Sequence, residues 1–327
     1  TQAGHTVYVQ RGAGAGAGFS DDVYRHAGAN IAYSASEVYG RADIIAKIAR
    51  PTADEHELFR PGQTIFSFFH LAVASPDLYQ ALVAHNITAV SYEMIQEDGG
   101  DHPVLIPASE VAGRLAPIIA GGLLRSNWND NEGSGLGILL GGLPGVPAAA
   151  VVIVGGGVLG LNAARVFRGL GAEVTVLDKD VAKLRLVERT CQASINTMVA
   201  NEYNLKRAVK FADVLVGAVM MPGERAPVLI TRDMVKSMRP RSIIIDFSID
   251  EGGCVETSRP TTLRDPVFVS EGVIHHCVPN LTASVSRTTS YAIVNAALPF
   301  LQAVGEHGLL AALRRMPALR RGVNMFQ

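Results

Sequence analysis

A glycine-rich turn carries the clearest chemical signal in this sequence. Gly155, Gly157 and Gly160 form a GxGxxG pattern. The pattern directly follows the apolar run Val151–Val154 and directly precedes a helical pattern, which is the context that the motif requires. The first glycine permits the tight turn, the second leaves room for a pyrophosphate, and the third lets the helix pack on the sheet. Together with the free N–H groups at the helix N-terminus, the turn predicts a dinucleotide site.

An acidic residue follows the glycine turn at the expected distance. Asp178 ends the next apolar run, Val174–Leu177. A carboxylate there accepts hydrogen bonds from the adenosine ribose and repels a 2′-phosphate, so the cofactor is predicted to be NAD rather than NADP. Lys179 beside it leaves NADP open, and a glycine turn that serves packing alone is the structural alternative.

Two further residues have side chains suited to proton or charge chemistry. His70 follows an aromatic pair, and an imidazole can donate and accept protons near neutral pH. On the residues alone, however, His70 at the end of an apolar strand is more readily interpreted as a hydrogen-bonded core histidine than as a catalytic one. Asp250 can stabilise a positive charge, or it can be a turn residue before Gly252-Gly253. No metal site is predicted, because His275-His276 lacks ligand partners at useful spacing and the three cysteines are far apart, as expected of reduced core thiols.

The surrounding pattern predicts the elements that hold these residues. The N-terminal third alternates short strands with helices and reads as an α/β domain of its own. From Val151 a strict β-α-β series predicts a parallel sheet with right-handed crossovers. A helix over Ser109–Arg125, with Ser109 as N-cap and Pro117 as a kink or an interruption, links the two. The predicted β-α-β series runs Val151–Val154, Leu159–Leu170, Val174–Leu177, Ala182–Cys191, Val214–Val216, Thr231–Met238 and Ser242–Asp246.

Length and composition agree with two α/β domains. A chain of 327 residues exceeds one ordinary core, and 48% hydrophobic residues with 33 glycines favour buried parallel strands. Apolar helical spacing after Thr288 predicts that the chain returns to its first domain. We therefore expect a Rossmann-type doubly wound sheet over residues 111–282, and an α/β substrate domain formed by both chain ends, residues 1–110 and 283–327.

Charge and hydropathy exclude several partners. The 29 basic and 30 acidic residues leave a net charge of −1, without a basic run that could follow a phosphate backbone, so nucleic acid is not an expected partner. The apolar stretch Pro147–Ala164 is too short and too rich in glycine to span a bilayer, and no signal segment is recognised. We expect a soluble, cytoplasmic protein.

Several blocks of sequence resemble the alanine dehydrogenase and pyridine-nucleotide transhydrogenase family, and the alanine dehydrogenase branch in particular. The resemblance covers nearly the whole chain. Its blocks begin at Arg60 (RPGQ), Phe69 (FHLA), Ser109 (SEVAGR), Gly141 (GGLPGV), Val216 (VGAVMMPG) and Asp246 (DFSIDEGG).

The resemblance implies roles for particular residues. His70 and Asp250 match the family's catalytic pair, and the resemblance further implies an NAD-dependent enzyme with a homo-oligomeric, commonly hexameric, assembly. For the reaction, His70 would move protons at a carbonyl or carbinolamine oxygen, while Asp250 would stabilise an iminium or ammonium charge. Around the nucleotide the resemblance places the three glycines, Asp178, Ser109, Val158, Leu159, Lys183, Val219, Met220, Arg259, Asn280 and Leu281.

The chain departs from the family where the substrate carboxylate is held. Ala49 stands at the position of the family's substrate lysine, and the sequence begins after the segment that carries a second cation, an arginine. Because side chains alternate along a strand, we expect Lys47 to share the face of Ala49 and to replace that lysine. Thr282 also stands where a proline is usual.

Three functions are compatible with these patterns. The first is an NAD-dependent amino-acid dehydrogenase that converts L-alanine, NAD and water into pyruvate, ammonium and NADH, with substrate choice altered by Ala49. The second is a transhydrogenase-like nucleotide-binding component, which has no need of His70. The third is a non-catalytic nucleotide-binding homologue, which Ala49 favours.

Overall fold

The computed structural model describes residues 1, 3–126 and 134–326 of the chain. These residues divide into two compact units. The split unit comprises Thr1–Ala108 and Val285–Gln327, and the central unit comprises Ser109–Ser284. The Asn, Asp, Ser and Gly content of residues 127–142 predicts a connecting loop, of which residues 127–133 lie outside the described part.

Strands and helices alternate along most of the chain. The described strands are β1 (Tyr8–Gln10), β2 (Asn30–Ala32), β3 (Ile44–Ala49), β4 (Thr64–Phe68), β5 (Thr88–Ser91), β6 (Ala150–Val154), β7 (Glu173–Asp178), β8 (Asn196–Val199), β9 (Val214–Gly217), β10 (Ile243–Asp246), β11 (Val267–Ser270), β12 (Val273–His276) and β13 (Val323–Met325). The described α-helices are α1 (Asp21–His26), α2 (Ala35–Arg41), α3 (Ala53–His56), α4 (Pro76–Ala84), α5 (Leu105–Leu123), α6 (Val158–Gly169), α7 (Val181–Thr190), α8 (Glu202–Phe211), α9 (Arg232–Lys236), α10 (Ser286–His307), α11 (Leu309–Arg315) and α12 (Pro317–Arg321).

The central unit is built on one seven-stranded sheet, in the order β11-β12-β10-β9-β6-β7-β8. Its six strands from β12 to β8 run parallel, and β11 pairs antiparallel with β12 at the edge. Alternate residues of β6 enter two hydrophobic clusters, Val151 and Ile153 in one and Val152 and Val154 in the other. Both faces of the sheet are therefore covered, which explains why β6 is a continuous apolar run.

The split unit has a four-stranded sheet in the order β13-β5-β4-β3, and a separate parallel pair of β1 and β2. Strands β3, β4 and β5 are parallel, whereas β13 is antiparallel to β5. Phe66 and Val90 face one hydrophobic cluster, while Ile65 and Ala89 face another. Helix α10, with Ile293 and Phe300 buried, covers the first of these faces.

The linking helix differs from the prediction at its start and at Pro117. Ser109 is not its N-cap, because α5 begins one turn earlier, at Leu105. Pro117 does not interrupt it, because α5 continues through this residue to Leu123. Ala116 and Ala120 on either side are fully buried, so tertiary packing outweighs the hydrogen bond that a proline removes.

The expected α/β class with parallel sheets is confirmed. Among the described residues, no helix is both long and apolar enough to cross a membrane.

Candidate functional site

The glycine turn in the central unit has the geometry that a dinucleotide requires. Gly155 adopts a φ of 110°, and a Cβ there would lie 2.3 Å from the Ala218 carbonyl oxygen. A Cβ on Gly160 would lie 1.8 Å from the Gly155 carbonyl oxygen, so α6 packs against the turn only with glycine there. A Cβ on Gly157 would meet no atom within 4 Å, and this open space beside the N-terminus of α6 fits a pyrophosphate.

Asp178 at the end of β7 is bonded to the same turn. Its Oδ2 accepts the Gly156 N–H at 2.7 Å, and its Oδ1 accepts the Asp180 N–H at 2.8 Å. The residue is 8% exposed, so the charge lies next to the turn and is largely shielded from water. A carboxylate held in this way has lone pairs left for the hydroxyls of a ribose and repels a phosphate.

Helices α5, α6 and α7 bring several of the predicted nucleotide residues to this turn. Lys183, in the first turn of α7, has its Cβ 3.6 Å from the position of a Cβ on Gly156. Val158 and Leu159 form the start of α6. Ser109 lies in α5, one turn before Gly113, and a Cβ on Gly113 would lie 2.4 Å from the Leu159 carbonyl oxygen. The structure therefore places Lys183, Val158 and Leu159 at the glycine turn, and Ser109 one helical turn from the contact between Gly113 and Leu159.

The segment after β9 lies against the same turn. The Val219 nitrogen is 3.2 Å from the position that a Cβ on Gly155 would take. The Val219 N–H donates to the Ser248 hydroxyl at 3.1 Å, which joins the end of β9 to the segment after β10. Met220 follows and is 39% exposed.

A buried carboxylate shapes the loop that carries Asp250. Asp246, at the end of β10, is 1% exposed and accepts backbone N–H groups from Ser248, Cys254 and Val255 at 3.0, 3.0 and 3.3 Å. Burial raises the pKa of Asp246, and hydrogen bonds from Ser258, Cys254 and Ser248 oppose that effect. Because Asp246 ties both ends of the loop, Asp250 lies in a fixed 3-10 turn, Phe247–Glu251.

Asp250 and Asn280 are in direct contact. The Asn280 N–H donates to Asp250 Oδ1 at 2.9 Å, and Asn280 adopts the left-handed conformation with a φ of 48°. The Thr282 hydroxyl donates to Asn280 Oδ1 at 3.2 Å, so this departure from the family pattern orients the Asn280 amide. Leu281 between them is buried. Two predictions made separately, a catalytic Asp250 and a nucleotide-binding Asn280, thus concern one hydrogen-bonded group.

Arg259 is held against the edge of the sheet. Its guanidinium carbon lies 4.2 Å from the centre of the Phe268 ring, and that ring stacks on His275 at 4.9 Å. The Nε2 atom of His275 is 2.7 Å from the Thr257 hydroxyl, and burial lowers the pKa of this histidine, so a neutral imidazole supports the stack. His275 and its neighbour His276 are buried residues of β12.

In the split unit, His70 stands just beyond the carboxyl end of β4. It adopts a left-handed conformation, with a φ of 44°, which is uncommon for a residue with a Cβ. Its N–H donates to Glu93 Oε1 at 2.7 Å, and its ring stacks on Phe68 with 6.1 Å between the centroids. Glu93 is 3% exposed, and we did not predict a role for it. The sequence feature that could have indicated Glu93 is its place just after the apolar strand β5.

The expectation that Lys47 shares the face of Ala49 is wrong. Ala46 pairs with Phe66 and Ala49 pairs with Phe68, so β3 has one residue more than β4 in this interval. This bulge breaks the alternation, and Ala49 therefore shares the face of Ala46 rather than that of Lys47.

Lys47 also has a partner of its own. Its Nζ lies 2.6 and 2.5 Å from the two carboxylate oxygens of Glu55. Burial raises the pKa of Glu55, but the hydrogen bonds from Lys47 and Thr52 outweigh burial and leave it below its ordinary value. The charge of Lys47 is therefore neutralised within the split unit by a carboxylate that stays ionised.

The fold and these contacts define a class of protein: a two-unit α/β protein with a Rossmann-type nucleotide-binding sheet. The family model described as "Alanine dehydrogenase/PNT, N-terminal domain" matches residues 1–112. The model described as "Alanine dehydrogenase/PNT, C-terminal domain" matches residues 124–327. The chain belongs to the alanine dehydrogenase/PNT family.

Individual relatives agree with this assignment. The chain is 42% identical to an alanine dehydrogenase of Methanococcus maripaludis, over 98% of this chain and 85% of that one. It is 41% identical to an alanine dehydrogenase of Bacillus subtilis, over 98% and 83%. A solved L-alanine dehydrogenase superposes with a TM-score of 0.89 at 38% identity, covering 99% and 88%. A transhydrogenase from Sinorhizobium meliloti, with a TM-score of 0.74 at 24% identity over 93% and 86%, shares the fold.

Proposed function

We propose that this chain is an NAD-dependent alanine dehydrogenase, which converts L-alanine, NAD and water into pyruvate, ammonium and NADH. One observation carries the proposal: a chain 42% identical to alanine dehydrogenases over 98% of its length retains both His70 and Asp250, each fixed by its own hydrogen bond. The central unit would bind the nucleotide and the split unit the amino acid.

The nucleotide-binding residues fit NAD. The turn Gly155–Gly160 and the start of α6 would hold the pyrophosphate, while Asp178 would accept the ribose hydroxyls. Lys183, Ser109, Val219, Met220, Arg259, Asn280 and Leu281 would line the remainder of the site. The chemistry that NAD would supply when bound is that of a hydride acceptor.

His70 would perform the proton transfers. In deamination, water adds to the iminium carbon and the resulting carbinolamine oxygen must lose a proton as ammonia leaves. An imidazole is suited to take that proton near neutral pH and to return it in the reverse direction. The left-handed turn and the bond to Glu93 aim the ring, which reduces the reorganisation needed at each transfer.

Asp250 would stabilise positive charge. The iminium and the departing ammonium are cations, and a carboxylate fixed by the Asn280 N–H offers its remaining lone pairs to them. Because Asn280 is also assigned to the nucleotide, this contact would couple nucleotide binding to the placement of Asp250.

A spectrophotometric assay at 340 nm tests the proposal. NADH, ammonium and a panel of 2-oxo acids should give oxidation of NADH, and NAD with L-alanine should give the reverse signal. Failure of every oxo acid in the panel, with NADH still bound tightly, would instead support the non-catalytic nucleotide-binding homologue. Ala49 and the paired Lys47 favour that second candidate, since both remove cations from substrate binding.

We further propose a cytoplasmic homo-oligomer, and a hexamer by resemblance to the family. Light scattering coupled to gel filtration measures the mass directly. A mass near that of one 34.7 kDa chain would contradict the assembly.

A further inference from the structure

The outer side of helix α10 carries no charge over most of its length. Residues 288–305 contain no Asp, Glu, Lys or Arg, although 18% of the whole chain is charged. They make up about five of the turns of α10, Ser286–His307. The exposed side of a surface helix is normally charged or polar, as on α8, where the exposed Lys206 and Glu202 form an ion pair. Contact with water therefore does not account for the outer side of α10.

Three large apolar side chains lie exposed on that outer side. Tyr291, Val294 and Leu298 are 53%, 51% and 43% exposed, and their spacing of three and four residues places them side by side along the helix. They form an outer stripe. The Phe19 ring meets Tyr291 edge-on, with 5.5 Å between the ring centres, and extends the stripe. Because Ile293 is buried on the inner side, α10 is apolar on both sides, which is typical of a helix that is covered by protein.

Opposite charges lie at the two ends of the outer stripe. Arg287 is one turn before Tyr291, and its guanidinium carbon lies 5.3 Å from the centre of the Phe19 ring. Glu306 is two turns after Leu298, at the edge of the stripe. Both charged residues are exposed, and the rise of the helix puts their backbones about 28 Å apart. A stripe that is apolar in its middle and oppositely charged at its ends is complementary to a second copy of itself that runs in the opposite direction.

We propose that two copies of this chain pair through the outer stripe, with their α10 helices antiparallel across a two-fold axis. Such pairing rests on the homo-oligomer proposed above and adds to it the surface that forms it. With the axis midway along the helix, each Arg287 lies opposite the partner's Glu306. Val294 and Leu298 of both copies then meet near the axis. Two-fold pairs that use the same patch on both copies are the commonest assemblies, whereas a parallel pair would place Arg287 against a second Arg287.

A lipid surface is the other apolar partner that could cover such a helix. Helices that lie on membranes carry Lys and Arg along their polar side, where they meet anionic headgroups. Residues 288–305 contain neither, and the exposed polar groups beside the stripe include Asn295 and Gln302. Neutral amides donate and accept hydrogen bonds across a protein interface, so a second copy fits this side of the helix better.

The first test compares Leu298→Glu with Leu186→Glu as the matched control. Leu298 on α10 and Leu186 on α7 are 43% and 45% exposed, but Leu186 lies outside the stripe, in the central unit. Light scattering coupled to gel filtration measures the mass of each protein. We expect Leu298→Glu to halve the mass of the parent assembly, because an unpaired charge buried in the contact breaks it, and Leu186→Glu to leave the mass unchanged. If Leu298→Glu does not fold, Val294→Glu provides the same comparison.

The second test reverses the charges at the ends of the stripe. Arg287→Glu and Glu306→Arg should each raise the dissociation constant of the pair about tenfold, because each sets like charges against each other at both ends. The two substitutions combined in one chain restore opposite charges, and this double variant should pair like the parent. An equimolar mixture of the two single variants should also pair more tightly than either variant alone. Sedimentation equilibrium gives these dissociation constants.

Several results would overturn the pairing through α10. A Leu298→Glu protein with the mass of the parent would do so, as would an equal loss of mass in Leu186→Glu. A double charge variant that pairs no better than the single variants would refute the antiparallel arrangement. A parent mass near that of one 34.7 kDa chain would refute the assembly and this surface together. If the parent is larger but reduces no oxo acid, the proposed enzyme fails, and the masses of the variants still decide the role of α10.

Discussion

Replacement of Asp178 by asparagine should remove the preference for NADH over NADPH. The change keeps the size of the side chain and deletes its charge. Asparagine can still accept one of the two N–H groups now bonded to the carboxylate, those of Gly156 and Asp180. The NH2 group of the asparagine would face the other backbone N–H, and because both are donors this hydrogen bond of the turn would be lost.

The magnitude follows from the burial of Asp178. Two unit charges 4 Å apart interact by about 4 kcal/mol at an effective dielectric constant of 20. With the side chain 8% exposed, about half of this repulsion should survive solvent and salt, which is about 2 kcal/mol or about 30-fold in affinity. Loss of the hydrogen bonds from a ribose to a charged acceptor should weaken NADH binding by a further factor of about ten.

Fluorescence titration of NADH and NADPH gives both dissociation constants. The parent should prefer NADH by at least about 30-fold, and Asp178→Asn should bring the two constants within about threefold of each other. Asp180→Asn is the control, because it deletes a nearby charge and keeps the N-cap acceptor for the Ala182 N–H. Equal constants in the parent, or equal effects of the two substitutions, would refute the assignment of Asp178.

Three other predictions concern the split unit and the stability of the central unit. His70→Ala should lower kcat about 10²- to 10⁴-fold and leave the NADH dissociation constant unchanged, and a variant that kept more than a tenth of the parent rate would return His70 to a packing role. The parent should bind pyruvate weakly, and Ala49→Lys should raise kcat/KM for pyruvate at least about tenfold, because it adds a cation on the face of Phe68; ordinary efficiency in the parent would contradict this. Burial lowers the pKa of His276 to about 4 from an ordinary 6.5. Between these two pH values the imidazole is protonated in the unfolded chain and neutral in the folded chain. The free energy of unfolding should therefore fall by about 2 kcal/mol from pH 7 to pH 5 through this residue. Urea titrations of His276→Phe at the two pH values should show that this contribution to the pH dependence is lost. An unchanged pH dependence would show that another group is responsible.

The alternation of elements was predictable because local pattern and packing agree there. The four predicted strands of the β-α-β series overlap the observed β6, β7, β9 and β10, and the three predicted helices overlap α6, α7 and α9. Strand β8, helix α8 and the hairpin of β11 and β12 were not predicted. Strand β8 has no buried residue and the hairpin includes two polar histidines, so neither has the continuous apolar run that marks the inner strands.

The first residue of α5 shows why the ends of helices were harder to predict than their existence. Ser109 is a common N-cap residue type, but the helix begins at Leu105, where Val104 and Leu105 are already buried. Local propensity favours Ser109 by about 1 kcal/mol, and the burial of an additional apolar turn outweighs that amount.

The sequence by itself was enough to predict the glycine turn, the position of Asp178 after the second strand of the β-α-β series, and the family to which the chain belongs. Each depends on residue types at short spacing, and the backbone conformation that only glycine tolerates is visible in the composition of the turn. Only the tertiary structure decided the contacts between distant segments. The pairs Asp250–Asn280 and His70–Glu93 join residues 30 and 23 positions apart. The bulge in β3 puts Lys47 and Ala49 on different faces of the strand, and Lys47 forms an ion pair with Glu55. Strand register and bulges arise from the pairing of one strand with another, and a single segment of sequence does not contain that information.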